Sequence, residues 1–362
     1  MAKRIEDIDK NLKLKTAKKS RGTQWVKASS KRFTQRGLAW FDEDPSVLRR
    51  LPGRAEGKVP DGVWYLAQCL AGGRICFRSD TTMMKVRAKL LREIPYPHMP
   101  ASGHSGLALY VGGPHEQKPW SLAFPDFGRQ EYERDLFSKV PREMREYTLY
   151  LPPYNGLVSL DIGLSAGAAI KKPSPPIAVK PAIFYGTSIT QGGCANNAGG
   201  EYPSILGRAL NLDTVNLGFS GCGQGEPEVA RMIAEIDAGL FALDYLANVT
   251  PERLRLTLPP FVKLLRSAHP KTPIVLMGKI VYTTALYDKS YLEEHEQRRD
   301  ILIHFYSKQR KAGDKNIHFV DGESLIPYGA DLSHVDGGHP TGAGFQLMAE
   351  RLTPLIARIL EL

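Results

Sequence analysis

Cysteine is scarce in this sequence. Cys69, Cys76, Cys194 and Cys222 are the four present, and no two form a C-x-x-C pair. That count is low for a disulfide scaffold. Cys69 and Cys76 stand in apolar, strand-like surroundings and read as buried thiols. Cys194 and Cys222 stand in two glycine-rich loops of the second half. Long apolar runs are also missing. None approaches the ~20 residues of a membrane helix, so no membrane partner is expected. The first twenty residues are basic and lack an apolar segment, which argues against a Sec signal peptide and leaves the cytoplasm as the expected location. Metal-ligand spacing is absent too. His269, His295, His304 and His318 are scattered and make no H-E-x-x-H pattern, so no metal and no other cofactor is expected. No repeat of solenoid period is present.

What the chain does have is basic charge concentrated at one end. The formal net charge is +10. Residues 1–60 hold 16 Lys and Arg against 7 Asp and Glu, while the other 302 residues hold 32 against 31. A basic arm can bind nucleic acid. This one lacks a recognition motif, and Trp25, Phe33, Trp40 and Phe41 are not interleaved with the basic residues in a regular way. A solvated arm and entry segment over 1–59 is therefore expected, with no nucleic-acid partner.

The rest of the chain divides into two patterns. Residues 60–170 read as short strands, among them Val63–Leu70, Arg74–Arg78, Met83–Leu90 and Arg145–Leu151, separated by Gly, Pro, Asn and Asp. Several alternate with period two, which predicts an antiparallel sandwich or jelly roll. Residues 171–181 are proline-rich and predict a linker. From 182 to 362 five apolar runs alternate with five helical patterns: Ala182–Tyr185, Thr214–Leu217, Leu240–Leu243, Ile274–Lys279 and Ile317–Val320, each followed by a helix. This predicts a five-stranded parallel sheet covered on both faces. In such sheets ligands sit beyond the carboxyl ends of the strands.

The residues at those strand ends form a chemical set. Gly186-Thr187-Ser188 follows the first strand and Gly218-Phe219-Ser220-Gly221 the second. Asp244-Tyr245-Leu246-Ala247-Asn248 follows the third, and Asp336-Gly337-Gly338-His339 precedes the last helix. A serine, a backbone amide, an asparagine and an Asp-x-x-His pair are the parts of an acyl-transfer site.

These phrases, FYGTSITQGGCA, VNLGFSGCGQGEPEVA, LDYLANVTPE, SAHPKTPIVLM and VDGGHPTGAGFQLMA, resemble the SGNH hydrolases of the GDSL-like superfamily. The branch resembled carries an N-terminal β domain named for a GxDLY motif. Gly106-Leu107-Ala108-Leu109-Tyr110 matches that motif, and Leu149–Tyr154 resembles the family's Leu-Pro-x-Tyr segment. The resemblance implies an α/β fold, a flavodoxin-like five-stranded parallel sheet, preceded by the β sandwich. It implies Ser188 as nucleophile, His339 as general base and Asp336 as its orienting acid. The oxyanion donors would be the backbone N–H groups of Ser188 and Gly221 and the side chain of Asn248. The chain departs from the family pattern at Thr187 (usually Asp), Ala247 (usually Gly), Asn196–Gly199 (Ser-Arg-Pro-Gly in relatives) and Ala108 (Asp in GxDLY).

Each residue also has an ordinary reading. Ser188 could cap a helix, and Gly221 serves equally well as a turn glycine. Asn248 could cap the helix starting at Pro251, although Thr250 fits that role better. Asp331 and His334 repeat the Asp-x-x-His spacing; His339 is favoured because it precedes Pro340 and the last helix. Asp244, Glu226 and Glu228 raise a glycoside-cleaving alternative, and a catalytically inactive carbohydrate-binding protein is the other. The expectation is a serine esterase acting on a small-molecule or oligosaccharide ester, with an O-acetylated carbohydrate as the substrate class implied by the family.

Overall fold

A computed structural model of the chain describes residues 8–9, 22–93, 96–327 and 333–362. Much of the expected basic arm lies outside the described residues. The strands begin earlier than residue 60. β1 (Thr23–Lys27) and β2 (Thr34–Arg36) already belong to sheets. Both are short and polar, so the charge excess of this stretch masks them. The helix α1 (Asp61–Ala67) then stands where a strand over Val63–Leu70 is expected. Pro60 starts it in an extended conformation, and Val63, Leu66 and Ala67 fall on one face at helical spacing, all buried.

The β region continues with β3 (Arg74–Ser79), β4 (Met84–Leu90), the one-turn α2 (Ala101–His104), β5 (Leu107–Val111), β6 (Lys118–Ala123), β7 (Glu131–Phe137), β8 (Arg145–Tyr150), β9 (Leu157–Ser165) and β10 (Ile170–Lys171). Two antiparallel sheets result. One has the order β1-β9-β4-β7, and the other β10-β3-β8-β5-β6 with β2 added on β3. Their inner faces share one core, which includes Phe33, Phe77, Val86, Tyr147, Leu149 and Ile162. Alternation along β4 puts Val86, Ala88 and Leu90 inside and Arg87 and Lys89 outside.

The second region holds β11 (Ala182–Gly186), α3 (Ser188–Gln191), α4 (Tyr202–Leu210), β12 (Thr214–Gly218), α5 (Pro227–Ile233), β13 (Leu240–Asp244), α6 (Pro251–Ala268), β14 (Ile274–Met277), α7 (Lys289–Lys311), β15 (Ile317–Val320) and α8 (Gly342–Leu360). The strands form one parallel sheet in the order β12-β11-β13-β14-β15. Every residue of β11, β12, β13 and β14 is buried, so these strands read as apolar runs rather than as alternation. Leu254, Leu258 and Phe261 cover one face. Leu206, Phe345, Met348 and Leu352 cover the other.

The two regions share cores. Leu51, Ala55, Val63 and Leu66 pack into the cluster that contains Val215, Leu217 and Phe219. Arg50 is fully buried at this seam. Its guanidinium donates to the carbonyls of Leu66, Cys69, Asn216 and Gly218 at 2.6–3.1 Å, over the Phe219 ring. Arg74 pairs with Asp213 at 2.6 Å. No helix among the described residues is long and apolar enough to cross a membrane.

Candidate active site

The site is built at the carboxyl ends of β11, β12, β13 and β15. β11 ends at Gly186, and the chain turns at once into α3. Thr187, not Ser188, is the N-cap of this helix. Its hydroxyl accepts from the Ile189 amide, and Thr190 Oγ1 accepts from the Thr187 amide, which makes a reciprocal capping box. Thr190 Oγ1 in turn donates to Asp244 Oδ2 at 2.9 Å, and Tyr202 donates to the same oxygen at 2.9 Å. The turn is therefore braced from below. With capping done by Thr187, the Ser188 hydroxyl is free to face the cleft.

Ser188 Oγ lies 2.8 Å from His339 Nε2. His339 Nδ1 lies 2.7 Å from Asp336 Oδ2. The other Asp336 oxygen accepts from the amides of Gly338 and His339 at 3.1 and 2.8 Å. An ionised Asp336 accepts from Nδ1–H, which leaves Nε2 as the acceptor for the serine proton. Partial burial would raise the Asp336 carboxyl, but its hydrogen bonds to the His339 amide and imidazole outweigh it and hold the group at about 2. Gly337 takes the left-handed conformation (φ +79°) that this tight loop requires. The rival His334 instead pairs with Pro340 across the base of the same loop. Asp331, at the other end of the rival spacing, lies outside the described residues.

The β12 loop, residues 219–223, faces Ser188. The amides of Phe219, Ser220, Cys222 and Gly223 all have acceptors: the Gly186 carbonyl, Gln191 Oε1 and, twice, the Phe219 carbonyl. The Gly221 amide has none among the described residues. Gly221 adopts φ +68°, and a side chain there would meet nothing within 4 Å. The Ser188 amide is likewise an unpaired donor in the first turn of α3. Asn248 ends a short 3-10 turn after β13, and its Nδ2 reaches the carbonyls of Phe219 and Gly223 at 3.3 and 3.2 Å. It does not cap α6; Thr250 does, accepting from the Arg253 amide.

The other acidic candidates are committed elsewhere. Glu226 accepts from the Tyr185 hydroxyl at 2.5 Å and the Gln224 amide at 2.6 Å. Asp244 holds Thr190 and Tyr202, and burial, against those two donors, pushes it up to about 7. Glu228 is on α5 beside Arg231.

Three residues at the site had no assigned role in the sequence. Tyr154, from the β region, donates to the Ser188 carbonyl at 3.3 Å. Gln191 ties Pro153 to Ser220, donating to the first and accepting from the second. A Cβ on Gly193 would lie 2.8 Å from Tyr154 Oη and 3.2 Å from His339 Cδ2, so any larger residue would press on the imidazole. The Leu-Pro-x-Tyr segment was the signal for Tyr154. A groove of about 410 Å³ in the β region is lined by Arg92, Tyr96, Met99 and His104, among others. Tyr96 packs edge-on against Tyr154. At the GxDLY segment, Ala108 and Tyr110 pack with Tyr150 against Ala198, so the departure to Ala108 serves an apolar seam.

The profile of the GDSL-like lipase/acylhydrolase family matches residues 179–357, and that of the N-terminal GxDLY region of SGNH-hydrolase-type esterases matches residues 23–170. The chain belongs to the GDSL-like lipase/acylhydrolase family. Among solved structures it is similar to a protein from Bacteroides ovatus described as a GDSL-like lipase, at 29% identity over 94% of this chain and 98% of that one, with a TM-score of 0.86. It shares its fold with the salicylyl-acyltransferase SsfX3 of a tetracycline biosynthetic pathway, at 23% identity over 94% and 98% of the two chains and a TM-score of 0.77. It also shares its fold with a family two carbohydrate esterase from Cellvibrio japonicus, at 14% identity over 94% and 98% and a TM-score of 0.63. No curated protein matches the chain. Membership places the protein among the esterases and acylhydrolases, and its architecture is the SGNH one, a five-stranded parallel sheet preceded by a β sandwich.

Proposed function

We propose that this GDSL-family protein is a serine esterase working through an acyl-enzyme, with an O-acetyl group on a carbohydrate as its substrate class. The observation that carries the mechanism is the unbroken hydrogen-bonded chain Ser188–His339–Asp336 at 2.8 and 2.7 Å. In that mechanism Ser188 Oγ attacks the ester carbonyl while His339 Nε2 takes its proton, and Asp336 stabilises the imidazolium. The developing oxyanion draws on the amides of Ser188 and Gly221. Asn248 joins them by exchanging one of its two long carbonyl contacts for the stronger, charge-assisted one. His339 then protonates the leaving alcohol. Water, deprotonated by the same nitrogen, attacks the acyl-serine and releases the acid. The carbohydrate part of the reading rests on the family resemblance and on the fold shared with family two carbohydrate esterases. Tyr96 and Tyr154 bring the β region to the edge of the cleft, where an alcohol larger than the acyl group would extend.

The test is hydrolysis of p-nitrophenyl acetate and of acetylated oligosaccharides, with fluorophosphonate labelling read by mass spectrometry. Ser188→Ala and His339→Ala should each lose at least about a thousandfold in kcat, and His334→Ala should stay within about tenfold. Full activity in Ser188→Ala overturns the mechanism. Loss in His334→Ala with retention in His339→Ala reverses the base. An active esterase that leaves acetylated oligosaccharides untouched removes the carbohydrate.

A further inference from the structure

Most buried charge outside the Ser188 site has partners. Arg50 has four carbonyls, Asp244 two hydroxyls and Glu226 a hydroxyl and an amide. Lys279 does not fit this pattern. It lies just past the carboxyl end of β14, at the rim where this fold holds ligands, and is only 6% exposed. No carboxylate among the described residues pairs with it. Its Nζ donates to Tyr291 Oη at 2.5 Å and sits 3.9 and 4.3 Å from the ring centres of Tyr282 and Tyr291. Aromatic faces favour a cation, but they do not neutralise it.

The neighbouring face of α7 adds two more nitrogen-bearing groups. Tyr291, His295 and Arg298 recur at helical spacing on that face. Arg298 donates from Nε to the Val249 carbonyl and from Nη2 to Glu294, each at 2.6 Å. Its Nη1 is buried with no partner. The same holds for Nδ1 of His295, whose Nε2 lies 3.2 Å from Glu323. Glu294 balances Arg298, while Glu323 is shared with Arg299. One positive charge is left over at Lys279. Burial, with the Arg298 charge beside it, pushes the Lys279 ammonium down to about 7. Burial and the Lys279 charge lower His295 as well.

The cluster is wedged between the two loops that carry the site. Arg298 holds the carbonyl next to Asn248. Tyr282 lies against Gly338, where a Cβ would come within 3.0 Å of its ring, and the Thr283 amide donates to the Gly337 carbonyl at 2.7 Å. We propose that Lys279, Arg298 and His295 form an anion subsite behind the Asn248 and His339 loops, which takes the carboxylate of a small organic acid. A planar anion of single charge matches the one unbalanced cation, and its two oxygens match the two separate donors at Lys279 Nζ and Arg298 Nη1. A dianionic phosphate would overshoot the charge. The carboxylate belongs either to the ester substrate or to a free acid.

The subsite is tested by calorimetric titration of the full chain with butyrate, a carboxylate of single charge. Wild type binds, and Lys279→Met weakens binding by about tenfold or more, with Lys279→Arg retaining more of it. The titratable groups facing Lys279 are His295, Arg298, Glu294, Tyr282 and Tyr291. Because the free lysine is largely neutral above pH 7, binding takes up a proton and is weaker at about pH 8.5 than at about pH 6. Methionine keeps the stem and removes a desolvated charge, so the variant folds; Lys279→Gln is the second form of the test. Two esters separate the sources. If kcat/KM for p-nitrophenyl hemisuccinate falls in Lys279→Met while p-nitrophenyl acetate is unchanged within about twofold, the carboxylate is the substrate's. If only butyrate binding falls, it is a free acid. No butyrate binding by wild type, or equal binding by Lys279→Met, overturns the subsite. Fluorophosphonate labelling of Ser188, run on the same samples, reads the esterase proposal separately.

Discussion

At the scale of single residues, the site depends on which hydroxyl does which job. Thr187 and Ser188 are adjacent and chemically alike. Thr187 spends its oxygen on the Ile189 amide, and Ser188 spends nothing on the backbone. Asp244, one shell below, is a carboxyl that burial holds near neutrality, with a value of about 7 against about 3.9 in an unfolded chain. A carboxyl whose folded value is raised contributes most at low pH, and that contribution is lost as pH rises from the unfolded value through the folded one. Asp244→Asn removes this loss. Its melting temperature relative to wild type should therefore climb by a few degrees between about pH 4 and pH 8, read by thermal melts across that range.

At the scale of elements, the β11–α3 turn works because three strand ends converge on it. Gly193 follows α3 by two residues, and its missing side chain lets the Tyr154 hydroxyl and the His339 ring approach together. Gly193→Ala would press on both. Tyr154 Oη is the far end of a side chain and can yield, whereas the imidazole must keep its 2.8 Å contact with Ser188. The expected outcome is a fall in kcat of about tenfold or more, with stability changed by no more than about 1 kcal/mol. Steady-state kinetics beside urea denaturation checks it. Unaltered kcat would mean that the loop has slack.

At the scale of the molecule, the two regions are bound through buried polar contacts as well as apolar area. Arg50 is central, because four carbonyls from both regions converge on one guanidinium whose burial lowers it to about 10. Arg50→Met would leave those carbonyls without donors in the interior. It should cost about 3 kcal/mol or more, measured by urea denaturation. The carbonyls of Asn216 and Gly218 lead into the Gly221 loop, so activity should fall too. A variant as stable as wild type would show that water replaces the guanidinium.

The sequence by itself determined the second region closely. Strands buried on both faces must be apolar runs, and ligands sit beyond their carboxyl ends, so order and spacing pointed to the segments after β11, β12 and β13 and before the last helix; the parts assigned to Ser188, Gly221, Asn248, Asp336 and His339 came from the resemblance to the SGNH hydrolases. The preference for His339 over His334 rested on the family pattern, in which a proline and the last helix follow the histidine. Tertiary structure decided the rest. Val63–Leu70 read as a strand because Val63-Trp64-Tyr65-Leu66 is a short apolar run rich in β-branched and aromatic residues, which fits a buried strand or a helix; the cluster around Phe219 made Asp61–Ala67 a helix. Strands at 23–36 were hidden by their polarity. Tyr154 and Gly193 matter because two distant segments are brought within contact of one imidazole. Lys279 differs from any surface lysine only in that α7 and the Tyr282 loop close over it. Local pattern sets what a segment can become, whereas burial and partner choice are properties of the assembled chain, and they separate a threonine that caps a helix from a serine, one residue away, that hydrogen-bonds His339.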